Sequence, residues 1–302
     1  MKKLSGVVTA LMTLRDAHGT PDTKGTVMLA KHCIQGGVDG LFVLGTNGEG
    51  INFSVEQRME VSRAVIEGID RSKAKVCIHT GSSRLEETVA LTRGACKLGA
   101  DCAAIVTPAF IPYSDAELYR YYREISESVP DNFSLYLYNI PPRTGNDIKP
   151  EVVERLVNDC KNIVGVKASF CNLERTAQYL GIKGSSMLQG SDIYQLEYLA
   201  MNCDGIISGL SGVYPEPFVQ VRMAWLENNI ESARRWQNIC FKVCEALDNG
   251  DVGTMKLAMR LKGFSVYLAD EPGAEKEKQL KEKLNEIDAM IYKARASRLA
   301  AV

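Results

Sequence analysis

Short apolar runs recur along the chain, and amphipathic segments separate them. Successive runs begin roughly 20 to 36 residues apart, which leaves room for a strand, a helix and two short loops. Such spacing predicts parallel strands joined by right-handed helical crossovers. The eight runs predicted to be strands are VVTALMT (7–13), GLFVLG (40–45), KVCIHTG (75–81), CAAIVTP (102–108), SLYLYNIP (134–141), IVGVKAS (163–169), SMLQGS (186–191) and GIISGL (205–210).

The segments between these runs carry helix signals. In SVEQRMEVSRAVIEGI, Ser54 precedes Gln57 in a capping-box pattern and Val61 and Val65 belong to an apolar stripe. Eight strand–helix repeats predict an α/β fold, a closed (β/α)8 (TIM) barrel that forms the catalytic domain over residues 1–225. A C-terminal helical extension is expected over residues 226–302. Helical patterns cover 220–247, 252–264 and 275–300, and no flexible linker precedes them.

Composition and charge exclude several classes of partner. The 302 residues are 45% hydrophobic and 24% charged, which is typical of a globular protein. Lys and Arg (36) nearly balance Asp and Glu (37), so the chain has no basic field for nucleic acid. The apolar runs are too short to cross a bilayer, so no membrane partner is expected.

The cysteines and the N-terminus bear on the compartment. Nine cysteines, an odd number without a CxxC pair, favour reduced thiols in a cytoplasmic protein. The N-terminal apolar stretch is interpreted as a strand and not as a signal peptide, because Arg15 and Asp16 interrupt it. Cys77 and His79 share a strand face, but no cluster with ligand spacing accompanies them, so no metal is predicted.

Polar motifs follow several predicted strands at their C-terminal ends, where barrels of this kind place their active sites. GTNGEG (45–50) follows the second strand, and YNIPPRTG (138–145) begins at the end of the fifth. Lys167 lies inside the sixth apolar run. Burying an ammonium without a partner is costly, and an amine that is neutral near pH 7 can attack a carbonyl to form a Schiff base. The alternative is a lysine that reaches solvent or pairs with a carboxylate.

Tyr138 favours the chemical interpretation of Lys167. It lies 29 residues earlier, one strand–helix repeat away, and so on the adjacent strand at a similar height. A phenol at that place can shuttle protons during imine formation and carbon–carbon cleavage. Thr46 adds a hydroxyl beside a glycine-rich turn. The three side chains are therefore predicted to converge on one mouth of the barrel as catalytic residues.

Three motifs in this order and at these spacings, GTNGEG, YNIPPRTG and GVKAS (165–169), resemble the dihydrodipicolinate synthase and N-acetylneuraminate lyase family of pyruvate-dependent class I aldolases. The similarity extends over nearly the whole chain, through QGSD and DGIISGL to the helical C-terminal part. The resemblance implies a barrel with C-terminal helices, a homo-oligomer (tetramer or dimer), and no metal or organic cofactor.

The resemblance also implies roles for single residues. Lys167 matches the lysine that forms the Schiff base, and Tyr138 matches the tyrosine that relays protons. Thr46, Asn47 and Gly48 match the turn whose hydroxyls and backbone N–H groups hold the carboxylate of pyruvate. Two further matches in the substrate site are Gly190 and Ile207.

Two positions depart from the family pattern. Asn47 stands where the family carries a second hydroxyl residue, so a hydroxyl relay is lost there while an amide N–H remains. Phe110 stands where the synthases and sialic acid lyases place a tyrosine that reaches into a neighbouring protomer's site, and a phenyl ring cannot pass protons. Tyr113 is interpreted as a structural aromatic and not as a replacement for that tyrosine.

Arg143 and Ile193 bear on the substrate. Arg143 matches the arginine that meets the aldehyde's carboxylate in dihydrodipicolinate synthases, a role that suits a guanidinium. The alternative is an ion pair with a surface acid such as Asp147. Sialic acid lyases usually lack this arginine and carry a second acid where this chain has Ile193, so sialic acid is disfavoured.

The predicted function is reversible aldol cleavage of a 2-keto-3-deoxy sugar acid, or a similar hydroxy keto acid, into pyruvate and an aldehyde. The expected partners are therefore a small keto acid and an aldehyde. One alternative is dihydrodipicolinate synthase, which condenses pyruvate with aspartate semialdehyde. Another is a keto-acid-binding protein without catalysis. Phe110 and Asn47 favour that last alternative, and the presence of Lys167 and Tyr138 argues against it.

Overall fold

Eight parallel strands form a closed barrel in the computed structural model, which describes residues 2–299. They follow one another around the barrel in chain order, and the last pairs with the first, so the predicted (β/α)8 barrel is confirmed. The strands are β1 (Gly6–Ala10), β2 (Gly40–Val43), β3 (Lys75–His79), β4 (Cys102–Val106), β5 (Ser134–Asn139), β6 (Ile163–Ala168), β7 (Ser186–Gln189) and β8 (Gly205–Ser208).

Each strand ends earlier than the apolar run that predicted it. β1, for example, ends at Ala10 and not at residue 13, although Leu11 N still donates to Phe42 O at 3.0 Å. The chain leaves the sheet at these points because the C-terminal ends of the strands turn into the loops that line the mouth of the barrel. Apolar composition does not distinguish a strand from the buried start of such a loop.

Side chains alternate along each strand between the barrel interior and the layer under the helices. In β5, Tyr136 and Tyr138 point into the interior cluster, whereas Leu135 and Leu137 pack in the outer layer. Lys167 of β6 pairs in register with Tyr138, is 4% exposed and also points inward. The alternation LYLY therefore places the phenol of Tyr138 beside the Lys167 amine.

Helices cover the outside of the barrel and form the C-terminal extension. They are α1 (Thr23–Gln35), α2 (Val55–Gly68), α3 (Leu85–Lys97), α4 (Asp115–Glu127), α5 (Pro141–Thr144), α6 (Pro150–Asp159), α7 (Leu173–Leu180), α8 (Gln195–Ala200), α9 (Pro215–Leu226), α10 (Ile230–Ala246), α11 (Val252–Leu261) and α12 (Ala274–Leu299). The capping box predicted at Ser54 and Gln57 begins α2. None of the helices within 2–299 is long and apolar enough to cross a membrane.

The helical pattern at 220–247 is divided between α9 and α10. Asn228 adopts a left-handed conformation with φ of 57°, and the side chain of Asn229 accepts from Ser232 N at 3.0 Å and so caps α10. The apolar periodicity of 220–247 did not reveal this break between two helices. The Asn228–Asn229 pair is the sequence feature that marks it. Of the predicted domains, residues 1 and 300–302 lie outside the described residues.

Candidate active site

The site is built around the amine of Lys167, which lies inside the mouth of the barrel. Its Nζ is 3.9 Å from the ring centroid of Tyr138 and 3.9 Å from that of Phe42. The two rings, 5.7 Å apart in a nearly perpendicular arrangement, form two walls around the amine. Among the described residues no carboxylate lies within ion-pair distance of Lys167. The amine therefore packs against two aromatic faces.

Thr46 and Tyr138 are joined by a hydrogen bond of 3.0 Å between their hydroxyl groups. Burial raises the pKa of Tyr138, but the charge of Lys167 and hydrogen bonds from Thr46 and Ser169 outweigh it, so the pKa lies below 10. A phenol of lowered pKa is suited to give and take protons. The structure thus brings together the three residues predicted to be catalytic.

The turn that carries Thr46 is tightly constrained. Leu44 and Glu49 both have left-handed φ values, 63° and 48°, which is uncommon for residues other than glycine. A Cβ at Gly48 would lie 2.9 Å from the Leu11 carbonyl oxygen, so only glycine fits there. The backbone N–H groups of Asn47 and Gly48 have no acceptor among residues 2–299. A pair of unpaired N–H groups in a turn can hold an anion.

Asn47 extends from this turn toward the C-terminal helices. Its Nδ2 lies 3.7 Å from the Sδ of Met255 on α11, and a Cβ at Gly209 would lie 2.5 Å from the same Nδ2. Glu49 also reaches α11, where it pairs with Lys256, and it accepts from Arg15 at 3.2 Å. The turn is therefore fixed to the C-terminal extension as well as to the barrel.

The other predicted substrate residues lie at the ends of β7 and β8. Gly190 follows β7 and packs against β6, since a Cβ there would be 2.2 Å from Ser169 Oγ. Ile207 belongs to the interior cluster together with Tyr138. Neither residue is linked to the Thr46–Tyr138 pair by a hydrogen bond in the described part of the chain. Their closeness to substrate stays a prediction.

Arg143 lies on α5, directly after β5, with its side chain exposed. The surface ion pair considered for it is wrong: Asp147 instead accepts from Arg175 at 2.9 Å and from the side-chain amide of Asn139 at 2.7 Å. Within residues 2–299 the Arg143 guanidinium has no ion-pair partner. It therefore remains available to an anionic ligand.

Phe110 lies at the tip of the loop between β4 and α4. Its side chain is 92% exposed and its φ is 72°, and the neighbouring Ile111 is 65% exposed. Asn146 holds this loop, because its Nδ2 donates to Pro108 O and Ile111 O at 2.8 Å each. The Tyr113 ring packs against Tyr121, with 6.5 Å between centroids. The Phe110 ring is thus exposed to solvent and not packed in the barrel of its own chain.

Sequence reasoning did not select Asp192, a partly buried acid in the loop after β7. Asp192 accepts from Leu210 N at 3.3 Å and receives a hydrogen bond from Ser208, so it connects the loops after β7 and β8. Burial raises the pKa of Asp192 to about 6, despite these hydrogen bonds and the charge of Lys167. Its sequence signal was an aspartate three residues after a buried strand that ends at the same mouth.

Metal ligands do not assemble in the described part of the chain. Residues 2–299 contain no group of three or more His, Cys, Asp or Glu side chains that could hold an ion. The arrangement instead provides an amine, a phenol hydrogen-bonded to a hydroxyl, and unpaired N–H groups on one turn. These are the groups that imine chemistry on a carboxylate-bearing carbonyl compound requires.

Comparisons with known proteins agree with this geometry. The model of the dihydrodipicolinate synthetase family matches residues 3–290. The putative 2-dehydro-3-deoxy-D-gluconate aldolase YagE of Escherichia coli K12 is 30% identical over 269 residues, covering 87% of this chain and 88% of that protein. The 4-hydroxy-tetrahydrodipicolinate synthase of Fervidobacterium nodosum is 33% identical over 245 residues, covering 80% and 82%.

Solved structures give the same result. The crystal structure of YagE in complex with pyruvate has a TM-score of 0.87 at 28% identity and covers 95% of this chain and 99% of that one. The 4-hydroxy-tetrahydrodipicolinate synthase of Methylacidiphilum fumariolicum SolV has a TM-score of 0.88 at 28% identity, covering 97% and 99%. The chain belongs to the dihydrodipicolinate synthetase family, an enzyme family of class I pyruvate-dependent lyases and synthases.

Proposed function

We propose that this enzyme cleaves a 2-keto-3-deoxy sugar acid, or a similar hydroxy keto acid, reversibly into pyruvate and an aldehyde through an imine on Lys167. The observation that carries the proposal is the Lys167 amine held between two aromatic rings, 3.9 Å from the ring of a tyrosine that is hydrogen-bonded to Thr46. The relative named as a putative 2-dehydro-3-deoxy-D-gluconate aldolase supports the choice of substrate class.

Each step of this reaction uses side chains of the site described above. The neutral Lys167 amine attacks the keto carbon, and the carbinolamine loses water with the proton of the Tyr138 phenol, which leaves a protonated imine and ionised Tyr138. Ionised Tyr138 takes the proton of the C4 hydroxyl, the C3–C4 bond breaks, and its electrons move into the protonated imine to give an enamine and a free aldehyde. Tyr138 returns the proton to C3, and water then releases pyruvate. The scheme needs no metal or organic cofactor.

The turn after β2 binds the carboxylate of the keto acid. The unpaired N–H groups of Asn47 and Gly48, together with the Thr46 hydroxyl, offer donors on one side of the amine. Gly190 and Ile207 border the keto acid in this proposal, and Arg143 meets the distal part of the substrate. A carboxylate held on the turn places the neighbouring keto carbon toward Lys167.

Trapping with borohydride tests the central step. Pyruvate and borohydride together are expected to add the mass of a reduced pyruvate imine to the peptide that contains Lys167, and neither reagent alone gives the adduct. Lys167→Ala loses the adduct, whereas Lys161→Ala, at a lysine side chain that is 82% exposed, keeps it. An adduct that forms at the same rate in Lys167→Ala removes Lys167 from the reaction.

Dihydrodipicolinate synthesis is the second candidate, and a specific observation favours it. The Arg143 guanidinium is exposed and unpaired within 2–299 at the end of β5, as recognition of an anionic aldehyde such as aspartate semialdehyde requires. Relatives named 4-hydroxy-tetrahydrodipicolinate synthase support it also. A screen of aldehydes with pyruvate, read by product mass, separates the two candidates. Preference for aspartate semialdehyde over hydroxylated aldehydes selects the synthase.

A second copy of the chain is proposed to cover Phe110 in a homodimer or homotetramer. Two adjacent exposed apolar side chains, Phe110 and Ile111, lie on a loop that Asn146 holds in place, and such pairs mark association surfaces. Phe110→Asp is expected to lower the mass measured by sedimentation. An unchanged mass rejects this surface.

The domain bounds and the compartment also remain proposals. A division near residue 225 is supported by α9, which ends at Leu226 after the eighth strand–helix repeat, with α10 to α12 beyond it. A cytoplasmic location is supported by nine cysteines that all remain unpaired. Microscopy of a tagged chain tests the location, and limited proteolysis tests the boundary.

A further inference from the structure

The mechanism leaves a buried histidine beside the catalytic residues unused. His79 ends β3, is 6% exposed, and packs its imidazole edge-on against the Tyr138 ring, with 5.8 Å between centroids and 86° between planes. Its other aromatic neighbour is Phe42 at 6.2 Å. His79 thus touches both rings that enclose the Lys167 amine.

The imidazole also binds the turn that carries Thr46. His79 Nδ1 lies 3.0 Å from the carbonyl oxygen of Leu44, and a carbonyl can only accept, so Nδ1 carries the proton. Leu44 is the residue with left-handed φ that begins the turn. A hydrogen bond to its carbonyl helps to hold a backbone conformation that is otherwise unfavourable.

Arg58 fixes His79 from behind. This arginine of α2 is 2% exposed, and its guanidinium donates to the carbonyl oxygens of His79 at 2.8 Å and Gly81 at 3.0 Å. Burial, followed by the charges of Arg58 and Lys167, lowers the pKa of His79 well below 6.5, so the imidazole is neutral near pH 7. The glycine at position 81 leaves room for the imidazole, because a Cβ there would lie 3.1 Å from His79 Nε2.

These contacts form one path from α2 to the catalytic pair. Arg58 holds the end of β3, His79 holds Leu44 through Nδ1 and Tyr138 through its ring, and the hydroxyls of Thr46 and Tyr138 meet at 3.0 Å. We propose that His79 is a positioning residue that sets the Thr46–Tyr138 hydrogen bond by fixing the turn after β2 through its hydrogen bond to Leu44. This inference rests on the proposed role of Tyr138, through which His79 acts.

Two substitutions separate the hydrogen bond from the packing. His79→Phe keeps an aromatic ring but has no donor for Leu44, whereas His79→Asn loses the ring but places its amide nitrogen where Nδ1 lies. We expect kcat with pyruvate and the aldehyde that is turned over to fall about 10- to 100-fold in His79→Phe, as for a misplaced catalytic group. His79→Asn is expected to recover most of kcat.

The ionisation of Tyr138 provides a readout that does not depend on catalysis. Tyrosine labelled with ¹³C at Cζ, with the Tyr138 resonance assigned from Tyr138→Phe, reports its pKa directly. Because the Thr46 hydrogen bond lowers that pKa, His79→Phe should shift the titration to higher pH and His79→Asn should shift it back. The basic form that the reaction requires then appears at higher pH, and the pH profile of kcat moves in the same direction.

The two proposals fail in different ways. If no imine forms on Lys167 but the Tyr138 titration still moves as expected, the proposed function is wrong and the positioning role stands. If imine forms and neither variant changes the Tyr138 titration or kcat beyond about twofold, the positioning role is wrong. Equal loss of kcat in both variants without a shift of the titration also overturns it, since that result indicates packing alone. Circular dichroism before each assay excludes unfolded variants.

Discussion

Tyr138 combines burial, a neighbouring amine and two hydroxyl partners, and their balance determines its form at neutral pH. Burial opposes the phenolate, while Lys167, Thr46 and Ser169 favour it, and the net effect lowers the pKa of Tyr138 from 10. The base form is therefore present at a lower pH than in a free tyrosine. The pH at which the enzyme gains activity is then set by neighbours that mutation can remove one at a time.

Tyr138→Phe is expected to keep the imine on Lys167 while slowing turnover by about 10²- to 10⁴-fold, the usual effect of losing a general acid or base. The ring remains, so the wall beside the Lys167 amine is retained. Borohydride trapping and steady-state kinetics on the same sample check the two parts. Turnover equal to that of the unmodified enzyme removes Tyr138 from the mechanism.

Thr46→Val tests the hydrogen bond alone, because valine keeps the shape of threonine and lacks the hydroxyl. Loss of a partner that stabilises the phenolate raises the pKa of Tyr138, so the alkaline rise in kcat should move to higher pH. The pH profile of kcat measures the shift. Thr46→Ser, which retains the hydroxyl, is the matched control, and a profile that is identical in Val and Ser variants contradicts this role.

The raised pKa of Asp192 predicts that the protein becomes less stable as the pH rises. Acids with lowered pKa values have the opposite effect. Its pKa is about 6 when folded and 3.8 in the reference state, so the unfolded chain releases the proton first as the pH rises. The free energy of unfolding therefore falls between about pH 4 and 6 and stays lower above pH 6, by an amount of the order of 2–3 kcal/mol. Asp192→Asn removes this loss.

Thermal or urea unfolding at pH 4 and pH 7 measures the effect. The stability of Asp192→Asn relative to the unmodified chain should increase between these pH values, because asparagine cannot ionise but still accepts from Leu210 N. Asp131→Asn is the control, since the Asp131 side chain is 74% exposed. If the stability difference between Asp192→Asn and the unmodified chain is the same at both pH values, folding does not raise the pKa of Asp192.

The loop between β4 and α4 depends on one side chain from another repeat. Asn146, after α5, receives a hydrogen bond from Tyr113 N and donates to Pro108 O and Ile111 O, all at 2.8 Å. Asn146→Ala should cost about 1–3 kcal/mol of stability and speed amide hydrogen exchange in residues 109–113. Exchange followed by mass spectrometry checks this, with exchange of α4 as the internal reference. Unchanged exchange in the loop means that other contacts hold it.

The elements themselves were largely predictable from the sequence, and the contacts between them were not. Periodic apolar runs located all eight strands, and the one-repeat spacing of Tyr138 and Lys167 placed them side by side in register. Arg58 and His79 carry no local motif, because they meet only when α2 packs on β3. The available signal was a charged residue at 58 in the buried stripe of Val61 and Val65. Long-range partners depend on packing that periodicity does not encode.

The barrel and its C-terminal helices meet at the turn after β2. Met255 contacts Asn47, and Lys256 pairs with Glu49, so α11 closes one side of the turn. A cleft of about 520 Å³ opens beside Glu49, lined in part by Arg15, Lys256 and Tyr267, and does not include Lys167. The turn that carries Thr46 is therefore held jointly by the barrel and by the C-terminal extension.

The choice between aldolase and synthase involves the whole assembly, since Asn47 lies in the turn and Phe110 is proposed to contact a neighbouring copy of the chain. If condensation with aspartate semialdehyde needs a proton relay through a hydroxyl at 47 and a phenol at 110, this enzyme lacks both groups, while Arg143 can still bind the anionic aldehyde. Aspartate semialdehyde should therefore be a poor substrate. Some hydroxylated aldehyde should be better.

Restoring both relay groups tests this interpretation. Asn47→Thr combined with Phe110→Tyr is expected to raise the rate of dihydrodipicolinate formation by at least about 10-fold, because proton transfer by a positioned group contributes ~10² or more. Asn47→Val combined with Phe110→Leu is the control without hydroxyls and should give no gain. A coupled assay measures both. If the unmodified enzyme already turns over aspartate semialdehyde at the ~1 to 10³ per second common for enzymes on their own substrates, it needs no such relay and is the synthase.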